Sequence, residues 1–218
     1  MCSFGGRGVT ELDFYVTAFV TLFVIIDPVG TTPIYLALTQ GMARARRRAI
    51  AIRACIIGMG ILLLFGLFGE AVLGFVGISM PAFRIAGGIL LFLTALEMLF
   101  GRRTQRRQDQ SEADDHDPGD DPSVFPLAIP LLAGPGSITS IILLTDQASG
   151  EPLLQAGIFG VATVVYGICF ILFLSAGWIE RALGDTGVLV VTRLLGMLLS
   201  ALSVQFVLDG LRGFGLQA

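Results

Sequence analysis

The chain has no lysine, a single histidine and only three cysteines among its 218 residues. His116 lies in an acidic segment, so no imidazole is available as a base within the apolar runs. The odd number of cysteines argues against a disulfide framework, and Cys55 and Cys169 fall where small apolar side chains pack. No metal-ligand spacing and no Walker-type phosphate loop occur. We therefore expect a protein that is not an enzyme and uses no cofactor or metal.

What the chain has in abundance is apolar sequence. Hydrophobic residues make up 54% and charged residues 14% of the chain, and the mean hydropathy is +0.82. This is not the composition of a soluble globular protein. A helix needs about 20 residues to cross a bilayer core of ~30 Å. Six runs reach that length: Phe14–Thr39, Ala49–Phe68, Pro81–Phe100, Val124–Leu144, Leu153–Gly177 and Gly187–Leu211. They predict an all-α membrane protein with six transmembrane helices.

The basic residues are all arginine, which is typical of a GC-rich bacterial genome, and they cluster after the odd-numbered spans. One cluster follows the first span and another the third: Arg44, Arg46, Arg47, Arg48 and Arg53, then Arg102, Arg103, Arg106 and Arg107. Excess arginine marks the cytoplasmic side of a membrane. The pattern predicts a multi-pass protein of the bacterial inner (plasma) membrane with both termini in the periplasm, although Arg7 and Arg212 point weakly the other way.

One polar segment, residues 101–122, separates two groups of three spans. It contains His116 among several acids, but one histidine among flexible carboxylates has no fixed ligand geometry. A disordered, solvated, cytoplasmic linker is the favoured interpretation. The chain thus divides into a first repeat at residues 1–100, the linker at 101–122 and a second repeat at 123–218.

The two groups of spans resemble each other in sequence. Three blocks align at offsets of 106, 110 and 109 residues: Gly30–Thr39 with Gly136–Thr145, Glu70–Gly77 with Glu180–Gly187, and Arg84–Gly87 with Arg193–Gly196. Because each group has an odd number of spans, the second must enter the membrane from the opposite face. The sequence therefore predicts two inverted-topology three-helix repeats, which recur among secondary transporters.

Glycine and proline interrupt the first span of each repeat. The first interruption includes Asp27, Pro28, Gly30 and Pro33, and the second extends from Pro130 to Ser137. Such breaks free backbone polar groups that hydrocarbon cannot satisfy, so they are expected to be buried in protein or to line a wet cavity. We predict broken helices in spans 1 and 4, with the first helix resuming near Thr31–Pro33. Paired breaks of this kind indicate a substrate site.

The breaks contain groups suited to a small zwitterion. Helix starts offer amide groups to its carboxylate, and Asp27 offers a negative charge to its ammonium. The predicted substrate-binding residues are Asp27, Pro28, Gly30, Thr31, Thr32, Gly134, Pro135, Gly136, Ser137 and Thr139. Asp27 and Glu97 are candidates for ion coupling. The alternative for Asp27 is a purely structural role as the cap of the resuming helix.

These motifs resemble those of the MarC family of six-span bacterial membrane proteins. The resemblance rests on IDPVGTTPIYLALT in the first span, AIPLLAGPGSIT in the fourth and RLLGMLLSALSVQFVLDGLRG in the sixth. It implies an inner-membrane protein associated with transport of small neutral amino acids such as glycine and alanine. Any functional character of the family is carried over to eight residues whose motifs are intact: Asp27, Pro28, Gly30, Thr31, Gly134, Pro135, Gly136 and Ser137.

The expected function is secondary transport of small neutral amino acids by alternating access, with possible proton or sodium coupling. The expected partners are a small-molecule substrate and the lipid bilayer, with no nucleic acid, and the sequence leaves the oligomeric state open. One alternative is an exporter of another small solute. A second is a non-transporting membrane scaffold whose breaks serve only packing. A third, an intramembrane enzyme, requires Asp27 and Glu97 to converge on one pocket.

Overall fold

The computed structural model describes residues 11–101 and 121–215, which form helices and no strand. The helices are α1 (Glu11–Ile26), α2 (Pro28–Leu38), α3 (Arg44–Val76), α4 (Met80–Leu99), α5 (Ser123–Leu132), α6 (Pro135–Gln147), α7 (Pro152–Leu174) and α8 (Ala176–Gly213). Cys2, His116, the arginines at 102–107 and nearly all of the linker lie outside the described residues.

The number of spans agrees with the sequence. Five helical stretches among the described residues are long and apolar enough to cross a membrane, one of them formed by α1 and α2 together. The pair α5 and α6, bent by 55° at its break, makes a sixth if it is counted as one span. Large apolar side chains such as Phe68, Phe75 and Leu153 are exposed on the outer surface, as lipid contact requires. The all-helical membrane architecture is confirmed, and the inverted relation of the repeats stays a prediction.

Two helices are longer than the apolar runs that predicted them. The helix α3 has 33 residues, about 50 Å of helix, because its arginine-rich start is helical although it is polar. The helix α8 begins at Ala176 instead of Gly187 and contains a kink at Gly184, where φ is 59° and ψ is 177°. Hydropathy locates the apolar part of a helix, whereas the helix itself continues into the polar interface.

The polar linker ends against the start of α3. Asp121 forms an ion pair with Arg53 and accepts a hydrogen bond of 3.1 Å from the Ser123 amide at the start of α5. Burial raises the pKa of Asp121, but the hydrogen bonds from Ser123 and Arg53 outweigh it and hold the pKa below its ordinary value. The second group of helices therefore begins beside the arginine-rich end of α3.

The helices α4 and α8 make the most extensive contact in the fold. A Cβ atom at Gly88 would lie 2.8 Å from the Ser203 carbonyl oxygen, and one at Gly210 would lie 2.9 Å from the Pro81 carbonyl oxygen. Because glycine has no side chain, the two backbones approach closely enough for van der Waals packing to hold them together. This contact joins the last helix of each half.

Five other glycines lie in or beside the apolar runs, and the sequence predicts that each allows close helix packing: Gly66, Gly69, Gly157, Gly160 and Gly167. The first three meet neighbouring side chains, for example Ile142 at 2.6 Å from a Cβ built on Gly69. The expectation is wrong for Gly160 and Gly167, which face open space. Both positions on α7 are exposed.

Two polar side chains have different partners from those expected. From its place near the start of a span, the sequence predicts that Arg84 extends to the interface or pairs with Glu70. In the structure it forms an ion pair with Asp146 at the end of α6. Gln205 was expected to face a cavity or to pair across the bundle. It is exposed and donates to the Asp209 carboxylate on the same helix at 2.9 Å. The partner of Arg84 depends on which helices are neighbours, which the sequence does not state, whereas Gln205 pairs within its own helix.

Candidate functional site

The first break consists of one residue, Asp27, in the left-handed conformation (φ 54°, ψ 65°). Its amide donates to the Phe23 carbonyl at 2.9 Å, and its own carbonyl accepts from the Thr31 amide at 3.0 Å. Helix α2 therefore resumes at Pro28, earlier than the predicted Thr31–Pro33. Proline is well suited to this first position, because its missing N–H would have no partner there. Aspartate is one of the few residues that tolerate a positive φ.

The Asp27 carboxylate is 1% exposed and caps α2. Its Oδ1 atom accepts a hydrogen bond of 3.0 Å from the Gly30 amide. A Cβ at Gly30 would collide with the carboxylate and lie 2.8 Å from Cγ of Asp27, so only glycine leaves room for this cap. The capping role anticipated as the alternative for Asp27 is present. It is compatible with a substrate contact, which stays a prediction.

The threonines beside the first break donate to its carbonyl groups. The Thr31 hydroxyl lies 3.0 Å from the Asp27 carbonyl and 3.1 Å from the Pro28 carbonyl. The Thr32 hydroxyl donates to the Pro28 carbonyl at 2.7 Å. Both side chains are buried, and in this conformation they satisfy backbone groups that the interrupted helix frees. Their oxygen atoms retain lone pairs that can accept a further hydrogen bond.

The second break is wider and extends through α5 to the start of α6. Phe125 and Ile129 have extended backbone conformations, and each precedes a proline, which disfavours the helical conformation at the preceding residue. Helix α6 starts at Pro135, and no side chain caps it at Gly134. A Cβ at Gly134 would lie 2.5 Å from the Pro130 carbonyl oxygen, so the turn requires glycine. The first amides of α6 have no partner within the helix.

One carbonyl group at the second break accepts from two side chains. The Leu132 carbonyl lies 3.1 Å from the Ser137 hydroxyl and 3.2 Å from the Tyr166 hydroxyl of α7. The single proton of Ser137 is shared with the Gly134 carbonyl, which lies 2.9 Å from the same hydroxyl. Gly58 of α3 makes room for the tyrosine, because a Cβ there would lie 2.8 Å from the Tyr166 hydroxyl. Sequence analysis missed Tyr166; the available signal was a phenol within an apolar span, which needs a hydrogen-bond partner when buried.

The structure places the start of α6 against the end of α1. A Cβ at Gly136 would lie 3.3 Å from Cγ2 of Ile25, two residues before Asp27, and 3.4 Å from Cδ2 of Leu91 on α4. Further along α6, the Thr139 methyl group packs on Gly87 of α4. The residues predicted at the first break share one turn, those from Gly134 to Ser137 share another, and the two turns are neighbours.

Access differs between the two breaks. Asp27 is 1% exposed and Ser137 is 2% exposed, whereas Pro135 is exposed and the flanking Gly134 and Gly136 are half-buried. Glu97, the second candidate for ion coupling, is half-buried and lies two residues before the end of α4. Within residues 11–101 and 121–215, no three acidic, histidine or cysteine side chains cluster as metal ligands.

The sequence matches the model of the MarC family integral membrane proteins over residues 12–214. A membrane protein of Methanocaldococcus jannaschii is 37% identical over 205 residues, which are 93% of this chain and 98% of that protein. Membrane protein YhcE of Escherichia coli (strain K12) is 36% identical over 208 residues, or 94% and 95% of the two chains. YvbG of Bacillus subtilis (strain 168) is 35% identical over 201 residues, or 92% and 95%. No solved structure matches the fold. These similarities and the helices together describe an integral, multi-pass membrane protein.

Proposed function

This chain belongs to the MarC family of integral membrane proteins, and on that premise we propose that it is a secondary transporter of small neutral amino acids such as glycine and alanine. In this proposal it resides in the bacterial inner membrane with both termini in the periplasm. It is not an enzyme, needs no cofactor or nucleic acid, and has the substrate and the bilayer as its partners.

The observation that carries the proposal is the contact between the start of α6 and the end of α1. It brings a carboxylate and an uncapped helix N-terminus to neighbouring turns: Asp27 on one side, and the amides of Gly136 and Ser137 on the other. The substrate carboxylate binds the α6 amides, favoured by the positive end of the helix dipole. The substrate ammonium pairs with Asp27. The substrate carboxylate binds at the start of α6 and not at the start of α2, because the Gly30 amide of α2 already donates to Asp27.

The small space at Gly134 and Gly136 limits the size of the substrate. Gly134 and Gly136 let a ligand approach the backbone directly, and both are half-buried beside the exposed Pro135. A Cβ atom built on Gly136 would lie only 3.3 Å from Ile25 and 3.4 Å from Leu91, and so little space favours a substrate with a hydrogen or methyl side chain. Since Asp27 is closed off from the surface, the ammonium reaches it only after the helices around the breaks move. Alternating access supplies that movement, with proton or sodium coupling through Asp27 and Glu97.

Counterflow of labelled glycine and alanine in proteoliposomes tests the proposal. The Asp27→Asn variant keeps an oxygen that accepts from the Gly30 amide and a residue that tolerates positive φ, so it folds but lacks the charge. We expect exchange to fall about tenfold or more, since one charge-assisted hydrogen bond is lost. Glu151→Gln, an exposed carboxylate in the loop before α7, is the matched control and leaves exchange unchanged.

A second variant tests the size of the site. Gly136→Ala adds a methyl group beside Ile25 and Leu91, and we expect it to weaken alanine exchange more than glycine exchange. Exchange of neither amino acid by the native protein, with or without a proton or sodium gradient, contradicts the amino-acid assignment. The same assay with a panel of other small solutes then tests the exporter alternative.

One observation favours a second candidate, a non-transporting membrane scaffold. The hydroxyls of Thr31, Thr32 and Ser137 all donate to backbone carbonyls at the breaks, so these side chains stabilise each break without a substrate. A scaffold shows no exchange of any solute. In crosslinking across the breaks it also keeps one accessibility pattern under every condition, whereas a transporter changes pattern when substrate is added.

A further inference from the structure

A cavity of about 560 Å³ lies where the start of α3 meets the end of α7 and the start of α8. The residues that line it include three arginines, Arg44, Arg47 and Arg48, and three aromatic residues, Tyr35, Phe173 and Trp178. This is the arginine-rich end of the bundle, which the sequence assigns to the cytoplasm. The cavity is separate from the two helix breaks.

The arginines of this cavity have no ion-pair partner among the carboxylates whose side chains the structure describes. None of those carboxylates pairs with Arg44, Arg47 or Arg48. The first turn of α3 contains no acidic residue, so these cations lie at the positive end of the helix dipole, where cations are unfavourable. A bound anion satisfies the guanidinium groups and the helix terminus at once.

Tightly packed side chains form the floor of the cavity. Tyr35 is 1% exposed, stacks on Phe173 with ring centroids 4.5 Å apart, and donates from its hydroxyl to the Arg47 carbonyl at 2.9 Å. The Arg47 guanidinium lies 5.8 Å from the centre of the Tyr35 ring, within range of a cation–π interaction. The backbone that presents the arginines is therefore held in place by α2 and α7.

An apolar groove begins one helical turn further along the same two helices. The groove has a volume of about 530 Å³ and lies between Ile52, Ile56 and Gly60 of α3 and Tyr166, Gly167 and Phe170 of α7. Ile52 follows Arg48 by one helical turn, and Phe170 precedes Leu174 of the cavity by one turn. Residues four apart share a helix face. A charged mouth and an apolar channel thus follow one seam. Trp178 is 73% exposed at the mouth, and tryptophan is enriched where membrane proteins meet lipid headgroups.

We propose that the seam between α3 and α7 binds one anionic phospholipid, with its phosphate group among Arg44, Arg47 and Arg48 and an acyl chain in the groove. The basic cavity and the apolar groove together favour an anionic phospholipid over other ligands. A soluble phosphate ester accounts for the basic cavity but leaves the groove unexplained, and a neutral lipid accounts for the groove but not for the arginines. The proposal goes beyond amino-acid transport and does not depend on it.

Native mass spectrometry of the purified full chain tests the headgroup site. The probes are phosphatidylglycerol and phosphatidylcholine with identical acyl chains. We expect phosphatidylglycerol to be retained preferentially, and Arg48→Gln to weaken its retention about fivefold. Arg212→Gln removes one exposed charge near the end of α8 and is the matched control, which retains the lipid as the native protein does. Equal retention of the two lipids, or equal effects of the two variants, overturns the proposal.

Substitutions at two glycines, Gly60 and Gly160, test whether the site binds a lipid or a soluble anion. Gly60 lines the groove, whereas Gly160 lies outside it. A Cβ atom at either position meets open space, so we expect both leucine variants to fold. We expect Gly60→Leu, but not Gly160→Leu, to reduce lipid retention. If Gly60→Leu has no effect and glycerol phosphate competes as well as the lipid, the site binds a soluble anion and the lipid assignment is wrong. A dimer that Gly60→Leu dissociates, with no lipid retained, assigns the groove to a second copy of the chain and also overturns the proposal.

Discussion

Arg84 of α4 and Asp146 at the end of α6 form an ion pair that joins the two halves of the chain. The side chains are only 21% and 16% exposed, and Nε of Arg84 is buried with no hydrogen-bond partner. A shielded ion pair adds little net stability to the fold, but removing one partner is strongly destabilising because it leaves the other charge buried and unpaired. The pair is therefore a sensitive point of the fold.

We predict that Arg84→Gln lowers the free energy of unfolding by roughly 2 to 3 kcal/mol, because it leaves the shielded Asp146 charge without its partner. The double variant Arg84→Met/Asp146→Leu regains much of that loss, since it removes both charges and fills the space with apolar groups. Unfolding of the purified protein in mixed detergent micelles measures both. A loss from Arg84→Gln no larger than that from the exposed Arg212→Gln contradicts the prediction.

A second prediction concerns the Leu132 carbonyl, which accepts from Ser137 and Tyr166. Tyr166→Phe or Ser137→Ala alone should cost about 0.5–1 kcal/mol, because the other hydroxyl still satisfies the carbonyl. The double variant leaves this buried acceptor without a side-chain donor and should cost about 1 kcal/mol more than the sum. A double-mutant cycle of unfolding free energies measures the difference, and strict additivity would refute the shared role.

A third prediction compares two glycines. Gly30→Ala forces a Cβ into the Asp27 carboxylate, so the cap on α2 is lost and stability should fall by about 2 kcal/mol. Gly74→Ala, near the end of α3, meets open space and should stabilise the helix by about 0.5 kcal/mol. Thermal unfolding of the two variants gives opposite signs if Asp27 caps α2 as described. A neutral Gly30→Ala would show that the cap is dispensable.

The inverted repeat predicts that corresponding loops lie on opposite sides of the membrane. Gln40 follows α2 and Ser149 follows α6, and both are exposed. In a protein whose native cysteines are replaced by alanine, a membrane-impermeant maleimide should label the Ser149→Cys variant in intact bacterial cells. It should label the Gln40→Cys variant only after the membrane is permeabilised. Labelling of both loops from the same side excludes the inverted arrangement.

The position of the breaks could be predicted from sequence because proline and glycine act on their own backbone. Pro28 removes an amide donor wherever it stands, and Phe125 and Ile129 are extended because a proline follows each of them. The point where helix α2 resumes was harder to place. It depends on the Asp27 side chain folding back over Gly30, which is a contact and not a propensity.

Contacts between helices were predicted poorly for a physical reason. A span such as α7 is apolar on every side, so no periodic pattern tells the face that meets another helix from the face that meets lipid. Gly160 and Gly167 were consequently assigned to packing, although both face open space. The Arg84 pair with Asp146 and the Tyr166 bond to Leu132 were missed for the same reason.

The sequence by itself determined that this is an all-helical membrane protein of the MarC family, broken at Asp27 and before Pro135. Those properties follow from hydropathy, local backbone restrictions and motifs that stay together in the chain. Only the tertiary structure decided that the start of α6 lies against Ile25, that Arg84 pairs with Asp146, and that a basic cavity and an apolar groove lie one helical turn apart along α3 and α7. In lipid the outward faces of helices are as apolar as their inward faces. Close fit and polar pairing, which depend on three-dimensional neighbours, therefore select the arrangement.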